Sequence, residues 1–125
     1  MENIFNMYIE DAYSCAMFVK LARDEGRTLT FKEMEDNALY ILGELEKRGY
    51  KTSLNLSRDM TNSFLEEYKN MVSYDGKQTL TLNKDVSLER LLRDFHMGVL
   101  CLPVVLIMNA QVEGDGLAIK KDHTI

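Results

Sequence analysis

Two histidines and two cysteines are the only imidazole and thiol ligands this chain of 125 residues could offer a transition metal. His96, His123, Cys15 and Cys101 make neither a CxxC nor an HExxH spacing, which argues against a zinc site. The glycine patterns that cradle phosphate are missing too. There is no GxGxxG and no GxxxxGKS or GxxxxGKT, and in EGDG the flanking acids would repel an anion. The acid-bearing stretches DGKQTLTLNKD and EGDGLAIKKD lack the one-three-five ligand spacing of a calcium loop and read as turns. No long hydrophobic run is present. VLCLPVVLI spans nine residues, and Met97 to Met108 only twelve, against the ~20 a membrane-crossing helix needs.

Base is also scarce. Lys plus Arg number 15 against 20 Asp plus Glu, a net charge of -5. Binding to nucleic acid draws on Lys and Arg at phosphates, so this balance disfavours it. The densest basic groups are Lys47, Arg48 and Lys51, which sit beside Glu44 and Glu46, and Lys120 and Lys121 near the end of the chain. The opening MENIFNMYIE carries two acids and no base, unlike a secretory leader. The two thiols then read as reduced, buried small hydrophobes, and the expected location is the cytoplasm.

Catalytic constellations fare no better. Cys101 follows His96 by five residues, about 140° apart on a continuous helix, so the two would not face each other. Cys101 also lies among Val, Leu and Pro, whereas a reactive thiol wants an electropositive, partly open setting. The paired carboxylates Glu10/Asp11, Glu33/Glu35/Asp36 and Glu66/Glu67 fall on helix faces expected to be wet. No catalytic residue, metal or organic cofactor is expected.

What the chain does have is amphipathic helix. Apolar residues recur with helical spacing from about Asn3 to Glu25, including Phe5, Ile9, Ala16 and Val19, and cover more than one stripe. Thr30 and Glu33 form a capping box ahead of a second helix over 31–48, with Met34, Ile41, Leu42 and Leu45 on its inner face. Leu54 and Leu56 alternate with polar residues and suggest a short strand. Ser57 or Asp59 would cap a third helix carrying Phe64 and Tyr68. Asp75-Gly76 is a tight-turn signal, pairing Val72–Tyr74 with Lys77–Leu80. The alternative pairs Leu54–Leu56 with Leu80–Leu82. Leu88, Leu91, Leu92, Phe95, Leu102 and Leu106 continue a helical period that Pro103 interrupts, predicting two pieces over 86–97 and 99–111.

The expected fold is mainly α, a bundle of four to five helices in one domain over 1–112. A small two-stranded β element is placed near 51–56 and 72–83, and 113–125 form a loosely held tail with room for an edge strand at Leu117–Ile119. No known family is identified from these motifs. Eight methionines spread over every expected helix suit core filling or an adaptable apolar face. The surplus apolar surface of the last helix nominates Val99, Leu102, Val105, Leu106 and Met108 as an interaction surface. The function expected from this is a small non-catalytic protein–protein interaction or regulatory module that forms a homodimer or binds another protein. The alternative is a winged-helix-like DNA-binding regulator, suggested by the order helix, helix, short strand, helix, hairpin. Its expected recognition helix, SRDMTNSFLEEYKN, has only Arg58 and Lys69 as bases.

Overall fold

A computed structural model describes residues 4–55, 65–66, 68–94 and 102–114 of the chain. In order these form β1 (Ile4–Tyr8), α1 (Ile9–Ala22), β2 (Thr28–Thr30), α2 (Phe31–Lys47), β3 (Lys51–Asn55), β4 (Val72–Tyr74), β5 (Thr79–Leu82), α3 (Leu88–Asp94) and α4 (Leu102–Val112).

The architecture is mixed α+β, not the helical bundle the apolar periodicity suggested. Five strands build two sheets among the described residues. β1 and β3 pair in parallel, with Phe5 opposite Thr52 and Met7 opposite Leu54. β2, β5 and β4 form an antiparallel sheet in that spatial order. The pattern misled because each strand is short and adjoins a helix. At the start of the chain, half-buried Phe5, exposed Asn6, buried Met7 and exposed Tyr8 alternate as a strand requires. The helix expected from Asn3 therefore begins only at Ile9.

α1 is the centre of the fold. It packs against α2, α3, α4 and β1, and nine of its residues are buried, from Ile9 to Val19. Ala12, Cys15 and Ala16 are among them and keep the helix slim where its neighbours cross.

α2 starts where the capping box places it. Glu33 N–H donates to Thr30 Oγ1 at 3.0 Å, and Thr30 N–H donates to Glu33 Oε1 at 2.8 Å. Thr30 is also the last residue of β2, so strand passes into helix with no loop between them. Met34, Asn37, Ala38, Ile41, Leu42 and Leu45 face inward.

The hairpin of β4 and β5 forms, with β5 beginning at Thr79 and Ser73 opposite Thr81. Asp75 Oδ1 accepts from the backbone N–H groups of Lys77, Gln78 and Thr79 at 2.7, 3.0 and 3.1 Å, and Gly76 supplies the φ of +83° the turn needs. The rival pairing of Leu54–Leu56 with Leu80–Leu82 is not made. β3 instead joins β1, and the second partner of β5 is β2, a strand the sequence reading did not anticipate.

The two helical pieces expected around Pro103 correspond to α3 and α4, and Pro103 is the second described residue of α4. Of the expected core, Ile9, Ala16, Val19, Met34, Ile41, Leu42, Leu45, Tyr68 and Leu91 are buried. Phe5 is only half-buried, and Leu92 and Leu106 are exposed. Phe64 and Phe95, the Leu102 side chain, most of the third helix and the edge strand at Leu117–Ile119 lie outside the described residues; Leu65 and Glu66 are helical.

Candidate interaction surface

α4 is apolar almost all round: LPVVLIMNAQV contains no charged residue. A helix of that kind cannot hide every side from water when it packs on only one flank. It lies against α1 and α2, and its residues divide accordingly. Val104, Ile107, Met108 and Gln111 are buried, while Val105 is half-buried and Leu106 is 50% exposed.

That division corrects the nominated surface. Met108 belongs to the core, 2% exposed. Leu106 and, in part, Val105 remain on the outside. Val99 and the side chain of Leu102 lie outside the described residues. Sequence reasoning missed other outward apolar groups. Leu88 and Leu92, one turn apart on α3, are 36% and 39% exposed, and Leu39 on α2 and Tyr8 at the end of β1 are exposed as well. The spacing of Leu88, Leu91 and Leu92 did signal an apolar stripe, but only Leu91 goes inward.

The end of α4 is held by polar groups. Arg23, just past the end of α1, donates from Nη1 to the carbonyls of Gln111 and Val112 at 2.9 and 3.3 Å. Its Nε meets Glu25 Oε2 at 2.5 Å. Deeper in, Gln111 Nε2 donates to Asn37 Oδ1 between two fully buried side chains.

An aromatic chain joins the hairpin to the helices. The Tyr13 ring stands 5.4 Å from Phe31, and Phe31 stands 5.4 Å from Tyr74 in an edge-on arrangement. Burial pushes the Tyr13 phenol up to about 12, with Glu35 and Glu10 adding to the effect. A phenol so resistant to ionisation is poorly suited to acid–base work near neutrality. Ser14 Oγ donates to Tyr68 Oη at 2.9 Å, which seats Tyr68 on α1.

One open cleft of roughly 200 Å³ lies between the turn after α1 and the loop before α3, lined by Leu21, Asp24, Arg27, Val86 and Ser87 among others. Arg27 is already committed there: its Nη1 donates to the carbonyls of Asn83 and Val86, both at 2.9 Å. Its task is to tie the strand β2 to the loop that leads into α3. Among the described residues no three His, Cys, Asp or Glu side chains gather as metal ligands would. No helix of the described residues is long and apolar enough to cross a membrane. Cys15 is buried in α1, and Cys101 and both histidines lie outside the described residues.

Comparison with protein-family models, with curated proteins and with solved structures gives no match.

Proposed function

We propose that the chain is a small non-catalytic interaction module of the cytoplasm, working through the outward side of α4 against a second copy of itself or another protein. The observation that carries this reading is Leu106. It is half exposed on a helix without one charged residue, in a chain where the other helices carry charge freely. Outward leucines on α3 enlarge the apolar supply. Half-buried Val105 beside Leu106 adds apolar surface on the same helix, and contiguous apolar surface of this kind marks contact sites.

The test is the mass in solution. The wild-type chain is expected to sediment as a dimer at high micromolar concentration, and Leu106→Glu as a monomer with an unchanged circular dichroism spectrum. A monomeric wild-type mass would remove self-association. Native purification that then brings down no stoichiometric protein would overturn the interaction reading as a whole.

A second reading rests on connectivity. α1, β2 and α2 precede a β4–β5 hairpin, and β2 pairs with β5 to give the order β2-β5-β4. Winged-helix domains, many of which bind DNA, share this strand order, while β3, between α2 and β4 and paired with β1, is additional to it. The bases nearby are engaged or isolated. Lys32 meets Asp36 at 3.2 Å, Lys69 meets Glu66 at 3.3 Å, and the hairpin turn offers Lys77 beside Asp75. Fluorescence anisotropy with labelled duplex DNA discriminates the two readings. Submicromolar binding that weakens steeply with salt supports the winged-helix regulator. Absence of binding at low salt leaves the protein-interaction reading standing.

A further inference from the structure

The structure poses a choice that hydrophobicity alone would settle the other way. On α4, Pro103, Leu106, Ile107 and Ala110 fall on one stripe and are all apolar. Turning that stripe inward would bury the helix with no polar side chain in the core. The helix instead turns inward the neighbouring stripe of Val104, Ile107, Met108 and Gln111. The two stripes share Ile107 and differ by about a quarter turn. The observed one sinks a primary amide and leaves Leu106 in water.

What offsets this is on α2. Asn37 is fully buried in the inward face of that helix, and it accepts the hydrogen bond from Gln111 Nε2. If α4 turned, Asn37 would be left facing Leu106 and Ala110, with no donor for a carbonyl already withdrawn from water. The match is incomplete even as it stands, since Asn37 Nδ2 and Gln111 Oε1 find no hydrogen-bond partner among the described residues. A buried pair of this kind contributes little to stability for its cost and is better suited to selecting one arrangement over another. Arg23 acts on the same end of the helix, but it holds main-chain carbonyls and is less sensitive to which side chain faces in.

We propose that Asn37 and Gln111 are a positioning pair that sets the rotation of α4 and so decides that Leu106, not Gln111, is presented to the outside. The inference concerns the helix's orientation and does not rest on the identity of any partner, or on there being one.

The experiment removes the partner and keeps the amide: Asn37→Leu in the full chain, at low micromolar protein so that self-association does not cover Leu106. Methyl NMR with a soluble paramagnetic probe then reads whether Leu106 faces solvent. In the wild-type chain the Leu106 methyl signals should be strongly broadened by the probe. In Asn37→Leu they should lose that broadening, or split into a protected and an exposed set, as Gln111 turns out to water. Leu106 signals that stay single and fully broadened would overturn the proposal, because packing alone would then select the rotation. Failure of Asn37→Leu to fold would overturn it too, since the turned stripe is apolar throughout and would pack on the new side chain. The exchanged pair, Asn37→Gln with Gln111→Asn, keeps both amides and should keep Leu106 exposed; its burial there would count against the pair as the determinant.

Discussion

Arg23 and Gln111 lie 88 positions apart, and the guanidinium of the first donates to the carbonyl of the second at 2.9 Å. The bond ties the residue that closes α1 to the last turn of α4, where the Gln111 carbonyl also accepts from Gly114 N–H at 3.1 Å. A cation there meets the negative end of the helix as well. Glu25 braces the guanidinium from the other side, and the two side chains are only 13% and 7% exposed. Arg23→Ala should therefore cost about 2 kcal/mol, the scale of a charge-assisted bond with its buried partner left behind. Urea unfolding would show a lower midpoint at unchanged slope. Arg23→Lys, which keeps the charge but not the fork, should recover part of the loss. A midpoint within error of wild type for Arg23→Ala would mean α4 is held by its apolar side alone.

The capping box at the head of α2 makes a second, smaller prediction. Thr30→Ala removes the acceptor for Glu33 N–H and should cost ~1 kcal/mol, while Thr30→Ser should be close to neutral. Hydrogen exchange at Glu33 and the neighbouring amides would locate the loss. Because Thr30 also ends β2, opposite Thr79, exchange at the β2–β5 pairing should rise with it. An effect confined to α2 would show that strand and helix are not coupled through this residue.

α2 could be read because its signals are local: a cap, an inner face at regular spacing and a glycine after the end all lie within one helix length. The hairpin turn was legible for the same reason, since Asp75 and Gly76 act on their own neighbours. The β1–β3 sheet was not. Its register joins Ile4 to Lys51 across two helices, and no residue in either strand announces a parallel partner so far along the chain. IFNMYI satisfies a helical period about as well as a strand's alternation, and the long apolar helix that follows absorbed it. The outward side of α4 was half legible. Leu106 and Met108 look alike in sequence, and only Asn37, on another element, tells which of them goes inward.

Acid should loosen the hairpin through one side chain. Hydrogen bonds from the backbone of Lys77, then Thr79 and Gln78, hold the Asp75 carboxyl below the usual carboxylate range. A group with a lowered folded pKa adds stability above its unfolded value, and that contribution is lost as pH falls through the folded value. The Lys77 and Thr79 amide signals should therefore move together on acidification, at a pH lower than an ordinary aspartate titrates. In Asp75→Asn the shared acid step should vanish. Titration of those amides at an unperturbed aspartate pH would show that the three bonds do not persist in solution.

Truncating the two candidate surface residues of α4 separately should give opposite results. Met108→Ala removes a side chain that is 2% exposed and leaves a hole against α1 and α2, for a loss of about 2–5 kcal/mol. Leu106 is 50% exposed, so Leu106→Ala gives up only part of a leucine's burial and should cost no more than about 1 kcal/mol in the monomer. The contrast depends on concentration. If Leu106 is covered in a dimer, the cost of Leu106→Ala should grow as the protein is concentrated, because association adds to apparent stability by mass action. The cost of Met108→Ala should stay the same. Denaturation curves at low and high micromolar protein separate these cases. A loss for Leu106→Ala as large as that for Met108→Ala, and independent of concentration, would place Leu106 in the core and reverse the orientation of α4.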